Sequence, residues 1–178
     1  MHLLGRNKMK KSLIIIFNLI LFFSLATFTQ AQETYEFLRK WNTTKDTWQN
    51  PTGLAVDKDG YVYVAGDRKI VKYTRDGTYV FHIENIPNSE DFYFSSHEMN
   101  VCVDDSGYIY VSSWEDSMIV KFNPQGDYVS KWDSWVDGTL KSFNGTAGIA
   151  IDSGNVYVCD SGNHRIVKFD SDGNYLLT

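Results

Sequence analysis

Two short segments carry side chains that could bind a ligand or transfer a proton. In the first, His97, Glu98 and Asn100 lie within four positions of one another. Imidazole and carboxylate groups coordinate zinc, and the same pair can act as general base and general acid. One such segment supplies too few ligands for a metal, so we predict no cofactor here. We favour a solvated or locally hydrogen-bonded pair, with a metal as the alternative.

The triplet Asn163-His164-Arg165 is the second such segment. Arginine binds carboxylates in a bidentate fashion, which suits a binding surface. The same triplet could instead link neighbouring structural units, for instance through Asp160, and this structural role is the one we favour. No complete catalytic set accompanies either segment, and no serine lies in a nucleophile elbow. The sequence therefore favours binding over catalysis.

The elements that must position these residues repeat along the chain with a period near 47 residues. Asp57, Asp104 and Asp152 mark equivalent points and are 47 and 48 residues apart. Around each of them, Val, Ile and Tyr runs alternate with Asp-Gly or similar turn sequences, which predicts β-strands joined by hairpins. Four antiparallel strands in a repeat of this length are typical of a β-propeller blade. We therefore predict an all-β fold with blades at about 51–83, 99–132 and 147–178.

The third repeat resembles the NHL repeat, a family named after an Asn-His-Leu type of triplet. The resemblance rests on Gly148-Ile-Ala-Ile-Asp152, on Val156-Tyr-Val-Cys-Asp160 and on the triplet at 163–165, in which Arg takes the third place. The first repeat has only Asp-Arg-Lys at this point, and the second has Trp-Glu-Asp-Ser. The resemblance covers about residues 35–178 and implies the propeller fold without implying one function.

The same resemblance implies a closed ring of about six blades, of which three repeats would be half. Residues 36–41 resemble a leading outer strand, which pairs with the final blade in such rings. Two interpretations remain open. Either the chain is part of a longer reading frame, or two copies form a homodimer that completes one ring.

The first 31 residues have the layout of a secretory signal peptide. Four basic residues precede an apolar run at 13–25, and Thr29-Gln30-Ala31 offers a cleavage site. The run is short for a membrane span, so we predict a secreted protein without a transmembrane segment after cleavage, with a retained N-terminal anchor as the alternative. This segment holds four of the 17 Lys and Arg residues and none of the 22 Asp and Glu residues, which leaves the remainder with a formal net charge of −9. Such a surface repels phosphate backbones, so nucleic acid is not expected as a partner.

The leading prediction for function is a non-enzymatic interaction scaffold that binds a protein, glycan or cell-envelope partner. The loops that enter each inner strand share one end of the blades with those joining the second and third strands, and binding residues usually lie on such loops. The predicted binding residues are His97, Glu98, Asn100, Trp114, Asp116, Asn163, His164 and Arg165. Asn42 and Asn144 begin glycosylation sequons.

Two other functions remain as alternatives, a structural cell-envelope protein and part of a metal-dependent propeller lyase or lactonase. The second follows from the family resemblance, which includes peptidyl-hydroxyglycine lyases and lactone-hydrolysing relatives with an axial metal. In the lyases a His follows the Pro before the inner strand. Thr52 follows Pro51 in this chain, and Met99 and Ala147 stand at the equivalent positions. All three repeats thus lack that ligand, although further blades could carry it, and we favour a chain that is not an enzyme.

Three further expectations concern structure. Cys102 and Cys159 are expected to be two buried thiols, with a disulfide as the alternative. Lys72, Lys121 and Lys168 recur at one strand position and are expected on a solvated face. The two Asp-x-Asp-Gly sequences are predicted to be turns, because they lack the spaced ligands and the distal Glu of a calcium loop.

Overall fold

The computed structural model describes residues 48–84, 94, 98–133 and 142–178, all within the compact unit formed by residues 41–178. In these ranges the chain forms three four-stranded antiparallel sheets, which we call blades one, two and three. The predicted all-β fold of propeller blades is confirmed. The same ranges contain no helix that is long and apolar enough to cross a membrane. The predicted signal peptide, the predicted leading strand, Asn42 and His97 lie outside the described residues.

Each blade is a meander in which every strand pairs with its neighbour in sequence. Blade one comprises β1 (Pro51–Val56), β2 (Val62–Gly66), β3 (Lys69–Tyr73) and β4 (Tyr79–Ile83). Blade two comprises β5 (Met99–Val103), β6 (Ile109–Ser113), β7 (Met118–Phe122) and β8 (Tyr128–Trp132). Blade three comprises β9 (Thr146–Asp152), β10 (Asn155–Asp160), β11 (Arg165–Asp170) and β12 (Tyr175–Leu177).

Aspartate side chains hold the tight turns of the blades. Oδ1 of Asp57 accepts hydrogen bonds from the backbone N–H groups of Asp59 and Tyr61 at 3.0 and 2.9 Å. Asp104 and Asp170 bind the equivalent N–H groups of their own turns at 2.8 to 3.0 Å. An aspartate that binds its own backbone two residues on stabilises a turn locally. The prediction that the Asp-x-Asp-Gly sequences are turns is confirmed.

The hydrophobic core lies between neighbouring blades. Ile70 of blade one and Val111 of blade two belong to one buried cluster. Ile119 of blade two and Val158 of blade three belong to the next. Burial of a branched aliphatic side chain contributes about 1.5 to 3 kcal/mol, so this packing joins the blades as well as filling them.

The repeated lysines pack against aromatic rings, and the expectation of a solvated face was wrong for Lys121, whereas Lys72 and Lys168 are half-buried. Lys121 is buried, and its Nζ lies 4.7 Å from the centroid of the Tyr108 ring. The same atom donates a hydrogen bond of 2.7 Å to the carbonyl oxygen of Ser171. Nζ of Lys72 lies 4.3 Å from the Tyr61 ring, and burial lowers the pKa of this amine. A ring face and a carbonyl oxygen take the place of water around the amine of Lys121.

Both cysteines are free thiols. Cys102 on β5 is buried between blades two and three, and burial raises the pKa of its thiol to about 12. Cys159 on β10 is half-buried, because it points away from the cluster that joins blades two and three. The preferred interpretation of two unbridged thiols is confirmed, whereas full burial holds for Cys102 and not for Cys159.

Candidate functional site on the loop face

The loops between the second and third strands lie at the same end of the blades as the segments that precede the inner strands. The N–H groups of Gln49 and Asn50 donate to the carboxylate of Asp67 at 2.7 and 3.0 Å. The N–H of Trp114 donates to the carbonyl oxygen of Glu98 at 3.1 Å. We call this end of the described residues the loop face. Of the predicted binding residues, it carries Glu98, Trp114, Asp116, Asn163, His164 and Arg165.

The three blades carry different loops at this face. Blade one has a two-residue turn, and both Asp67 and Arg68 have positive φ angles of 49° and 64°, as a type I′ hairpin requires. Blade two has a loop from Trp114 to Ser117. Blade three has a 3-10 turn that is followed by His164 in the left-handed conformation, with a φ of 55°. Equivalent positions of a repeated scaffold therefore present different side chains.

Asp160 is a buried carboxylate that organises the loop of blade three. Its Oδ1 accepts a hydrogen bond from the N–H of Asn144 at 2.8 Å. Its Oδ2 accepts bonds from Nδ2 of Asn163 at 2.9 Å and from Nε of Arg165 at 2.6 Å. Three donors offset the loss of water around this buried charge. Asn163 and Arg165 therefore stabilise the loop itself.

The predicted pairing with Asp160 is present, but it does not link neighbouring blades. Asp160 and Arg165 face each other as cross-strand neighbours of β10 and β11, so the ion pair lies within blade three. Asn163 also donates from Nδ2 to the carbonyl oxygen of Ser142 at 2.8 Å. Within the triplet, His164 is the exposed side chain, while its two neighbours are half-buried.

Trp114 is an exposed aromatic side chain on the loop face, and it is supported by backbone. A Cβ atom added to Gly145 would come within 2.8 Å of the Trp114 ring, so the ring lies directly against this glycine. The N–H of Gly145 donates to Oγ of Ser117 at 3.3 Å, which ties the loop of blade two to the segment before β9. Asp116 in the same loop accepts a hydrogen bond from the hydroxyl of Ser113. The ring is therefore fixed in place while 38% of the residue remains exposed.

Asn100 links two blades, although the sequence led us to place it among the binding residues. Its Nδ2 donates to the carbonyl oxygen of Ala147 on β9, and the hydroxyl of Ser112 donates to the same oxygen at 3.3 Å. Thr52 makes the corresponding link between blades one and two, because its hydroxyl donates to the carbonyl oxygen of Met99 at 2.8 Å. Side chains near the start of an inner strand therefore join that strand's blade to the next blade.

Two grooves at the opposite end of the blades were not predicted. The larger, of 310 Å³, lies between blades two and three and is lined by Asp104, Asp105 and Asp152 together with serines. The smaller, of 130 Å³, lies between blades one and two. In the sequence, the aspartates that recur at the end of each inner strand could have indicated these grooves. Of these aspartates, Asp57 and Asp104 also hold turns, as described above.

Buried tyrosines complete this acidic end. The hydroxyl of Tyr63 donates to Asp57 at 3.0 Å, and that of Tyr110 donates to Asp104 at 3.2 Å. Burial in the first place, and then the neighbouring carboxylate, raise the pKa of both phenols. Both tyrosines therefore stay neutral donors at physiological pH.

The described residues contain no group of three or more His, Cys, Asp or Glu side chains that could hold a metal ion. His97, considered above as a metal ligand, lies outside those ranges. The described part of the loop face thus offers hydrogen-bonding groups and an aromatic surface.

Comparison with known proteins agrees with the fold. The sequence model of the family described as the NHL repeat matches residues 143–169, which include β9, β10 and most of β11. No curated protein matches the chain by sequence. The match covers the blade whose triplet carries the resemblance seen in the sequence.

Three solved structures show the same architecture at low identity. A streptogramin B lyase is 19% identical with a TM-score of 0.55, and the match covers 71% of this chain and 39% of the lyase. A virginiamycin B lyase from Staphylococcus aureus is 16% identical with a TM-score of 0.54, covering 71% of this chain and 40% of that one. A protein of unknown function from Bacteroides caccae is 16% identical with a TM-score of 0.52, covering 70% and 47%.

The chain spans less than half the length of each of these three proteins. At these identities the likeness concerns the fold. The NHL-repeat model matches the third blade, which confirms the resemblance seen there in the sequence, and the three sheets have the architecture of β-propeller blades.

Proposed function

We propose that this chain is an exported, non-enzymatic scaffold that binds a protein or glycan of the cell envelope through its loop face. The observation that carries the proposal is Trp114, which is 38% exposed and lies against Gly145. An aromatic ring that is already fixed in place buries a large area on binding and loses little side-chain entropy. Tryptophan is also among the residue types that most often dominate binding energy.

The polar groups of the loop face support a partner rich in hydroxyl or amide groups. Glu115 follows Trp114 directly and is exposed, and His164 is exposed on the neighbouring blade. Such side chains can bind the hydroxyl groups of a sugar or the amides of a peptide, while the ring covers an apolar patch of the same ligand. The negative charge of the chain disfavours a strongly anionic partner.

Catalysis has less support as a function. Asn163 and Arg165 both donate to Asp160, so these groups serve the structure of the loop. The similarity to two lyases is a similarity of fold, and one fold hosts many functions. Turnover of an ester, a lactone or an amidated-peptide precursor by the purified protein would contradict the proposal.

Co-sedimentation with an insoluble cell-envelope preparation tests the proposal. We expect the wild-type protein to sediment and Trp114→Ala to bind at least about tenfold more weakly, because truncation of a central tryptophan removes roughly 2 kcal/mol or more. Treatment of the preparation with protease or with periodate then distinguishes a protein partner from a glycan.

Tyr128→Ala is the matched control for this experiment. Tyr128 is 37% exposed, and it lies at the start of β8, at the end of blade two opposite to the loop face. Its loss is expected to leave sedimentation unchanged. Equal binding by the wild type and both variants, or no binding by the wild type, would overturn the proposed function.

A further inference from the structure

The described part of the loop face carries two tryptophans, and their surroundings differ. Trp48 is half-buried, its indole N–H donates to the hydroxyl of Tyr73 at 3.0 Å, and Nζ of Lys69 lies 4.8 Å from its ring centroid. Trp114 is exposed, and its indole N–H makes no hydrogen bond to any residue that the structure describes. Trp48 therefore serves the packing of blade one, whereas the ring and the N–H of Trp114 stay available to a ligand.

The segment under the Trp114 ring is bonded to the loop of blade three. The carbonyl oxygen of Gly145 accepts a hydrogen bond from the N–H of Ser161 at 3.1 Å. The carbonyl oxygen of Asn144 accepts one from the N–H of Gly162 at 2.7 Å. Loops of two blades and the segment between them therefore form one continuous surface. Its exposed side chains make up what we call the seam patch: Trp114, Glu115, Asn144 and His164.

The polar side chains of the seam patch have hydrogen-bonding capacity that the described residues do not use. The carboxylate of Glu115, the amide of Asn144 and the imidazole of His164 make no hydrogen bond to any of those residues. Asn163 and Arg165 differ, because both donate to the buried carboxylate that organises the loop. One set of polar groups therefore holds the loops, and a second set is left for solvent or for a ligand.

The composition of the seam patch fits a sugar better than a protein surface. A stable protein interface has an apolar centre built from several side chains and buries about 800 Å² on each partner. Among the described residues of these loops, Trp114 is the large apolar side chain that is exposed. A pyranose ring needs less, because the C–H groups of one face pack on an aromatic ring while its hydroxyl groups donate and accept hydrogen bonds.

We propose that the seam patch binds a neutral pyranose unit of a polysaccharide, an inference that rests on the proposed function and names its ligand. The sugar ring stacks on the exposed side of the Trp114 ring. The Glu115 carboxylate accepts hydrogen bonds from two neighbouring hydroxyl groups, and the Asn144 amide donates to one oxygen and accepts from another. His164 supplies a further donor or acceptor from blade three. Glu115 and Asp116 are two carboxylates in one loop, and they disfavour acidic sugars.

NMR spectroscopy of the tryptophan indole N–H groups tests this ligand on the purified protein. A host that does not glycosylate is used, because Asn144 begins a sequon. The signal that disappears in Trp114→Phe identifies the Trp114 indole. Hexasaccharides of glucose, of mannose and of N-acetylglucosamine are titrated separately, with a hexamer of galacturonic acid as the acidic counterpart.

We expect at least one neutral hexasaccharide to shift the Trp114 signal saturably while the Trp48 signal stays in place. The acidic hexamer is expected to bind about tenfold more weakly or worse, because it meets the carboxylates of the same loop. Trp114→Ala is expected to lower the affinity at least about tenfold, as truncation of a central tryptophan usually does.

Glu115→Gln and Asn144→Ala test the polar contacts without removing the ring. Each is expected to lower the affinity about threefold or more, because each removes hydrogen bonds to the sugar. The backbone N–H and carbonyl of Asn144, which hold the loop, remain in Asn144→Ala. Asp105→Asn is the matched control for Glu115→Gln, since Asp105 is an exposed carboxylate at the opposite end of the blades. It is expected to bind like the wild type, and urea unfolding checks that all variants are folded.

The glycan and the proposed function can fail separately. The inference is overturned if no neutral hexasaccharide shifts the Trp114 signal, if the acidic hexamer binds as tightly, or if Glu115→Gln and Asn144→Ala bind like the wild type. Sedimentation with the envelope preparation that depends on Trp114 and is abolished by protease but not by periodate would overturn the glycan and keep the proposed function. A protein that neither sediments nor binds any of the sugars would overturn both.

Discussion

In blade three, Nε of Arg165 donates to Oδ2 of Asp160 at 2.6 Å, and the Asp160 side chain is fully buried while 14% of the Arg165 side chain is exposed. The same carboxylate binds the backbone before β9 and the amide of Asn163. One buried charge thus joins three segments that are separate in sequence. Two members of the NHL triplet are explained by this arrangement without any ligand.

Asp160→Ala is expected to lower the free energy of unfolding by about 3 to 5 kcal/mol, because it removes one partner of a buried ion pair. Urea unfolding measures the loss. Asp59→Ala is the control. Asp59 forms an exposed pair with Lys58 at 3.3 Å, so this variant is expected to lower the free energy of unfolding by less than about 1 kcal/mol. Similar losses in both variants would show that Asp160 is not the organising group.

Tyr110→Phe is expected to destabilise the protein by about 1.5 kcal/mol, because the hydroxyl of Tyr110 donates to the carboxylate group of Asp104. Tyr157→Phe is the matched change in blade three. Tyr157 is half-buried, and no hydrogen bond joins it to Asp152, although both residues are described. We expect Tyr157→Phe to stay within about 0.5 kcal/mol of the wild type in urea unfolding. Equal effects would contradict a specific role of the tyrosine–aspartate bond.

A comparison of Gly145→Ala with Gly154→Ala distinguishes the effect of displacing the Trp114 ring from the effect of backbone strain. The two glycines have φ angles of +73° and +75°, so an alanine at either position pays a similar penalty of about 1 to 2 kcal/mol. A Cβ atom at Gly145 also meets the Trp114 ring at 2.8 Å, whereas nothing lies within 4 Å of one at Gly154. We therefore expect Gly145→Ala to be the more destabilised in urea and to bind the envelope preparation more weakly. Equal stability and equal binding would show that Gly145 does not position the ring.

The blades were predictable because their signals are local. The Asp-held turns act over two to four residues, and the strands between them alternate in a pattern that the sequence displays directly. Even the links between blades left a trace. Thr52 and Met99 are 47 residues apart, as are Asn100 and Ala147, so bonded partners are one repeat period apart. The role of Asn100 could have been inferred from this spacing.

The surroundings of individual side chains were not predictable in the same way. Lys121 looks solvent-exposed in a sequence rich in acids, but the Tyr108 ring and the carbonyl of Ser171 enclose it. Ser171 is 50 residues away, in the next blade. The geometry of the Asp160 network likewise depends on the register of β10 and β11, which composition does not reveal. Contacts between blades thus decide which repeated residues are structural.

The buried thiol of Cys102 predicts how stability depends on alkaline pH. Burial raises its pKa in the folded state from 9.0 to about 12, so the folded protein keeps the thiol neutral where the unfolded chain loses the proton. The unfolded state therefore binds fewer protons between pH 9 and 12, and stability must fall as pH rises through this window, by up to about 1.4 kcal/mol per pH unit for one group. Urea unfolding at pH 8, 9.5 and 10.5 measures the slope, to which the tyrosines also contribute at the upper end. We expect Cys102→Ala to reduce it and Cys159→Ala, which keeps the buried thiol, to retain it. An identical slope in both variants would show that Cys102 is not the group that titrates on unfolding.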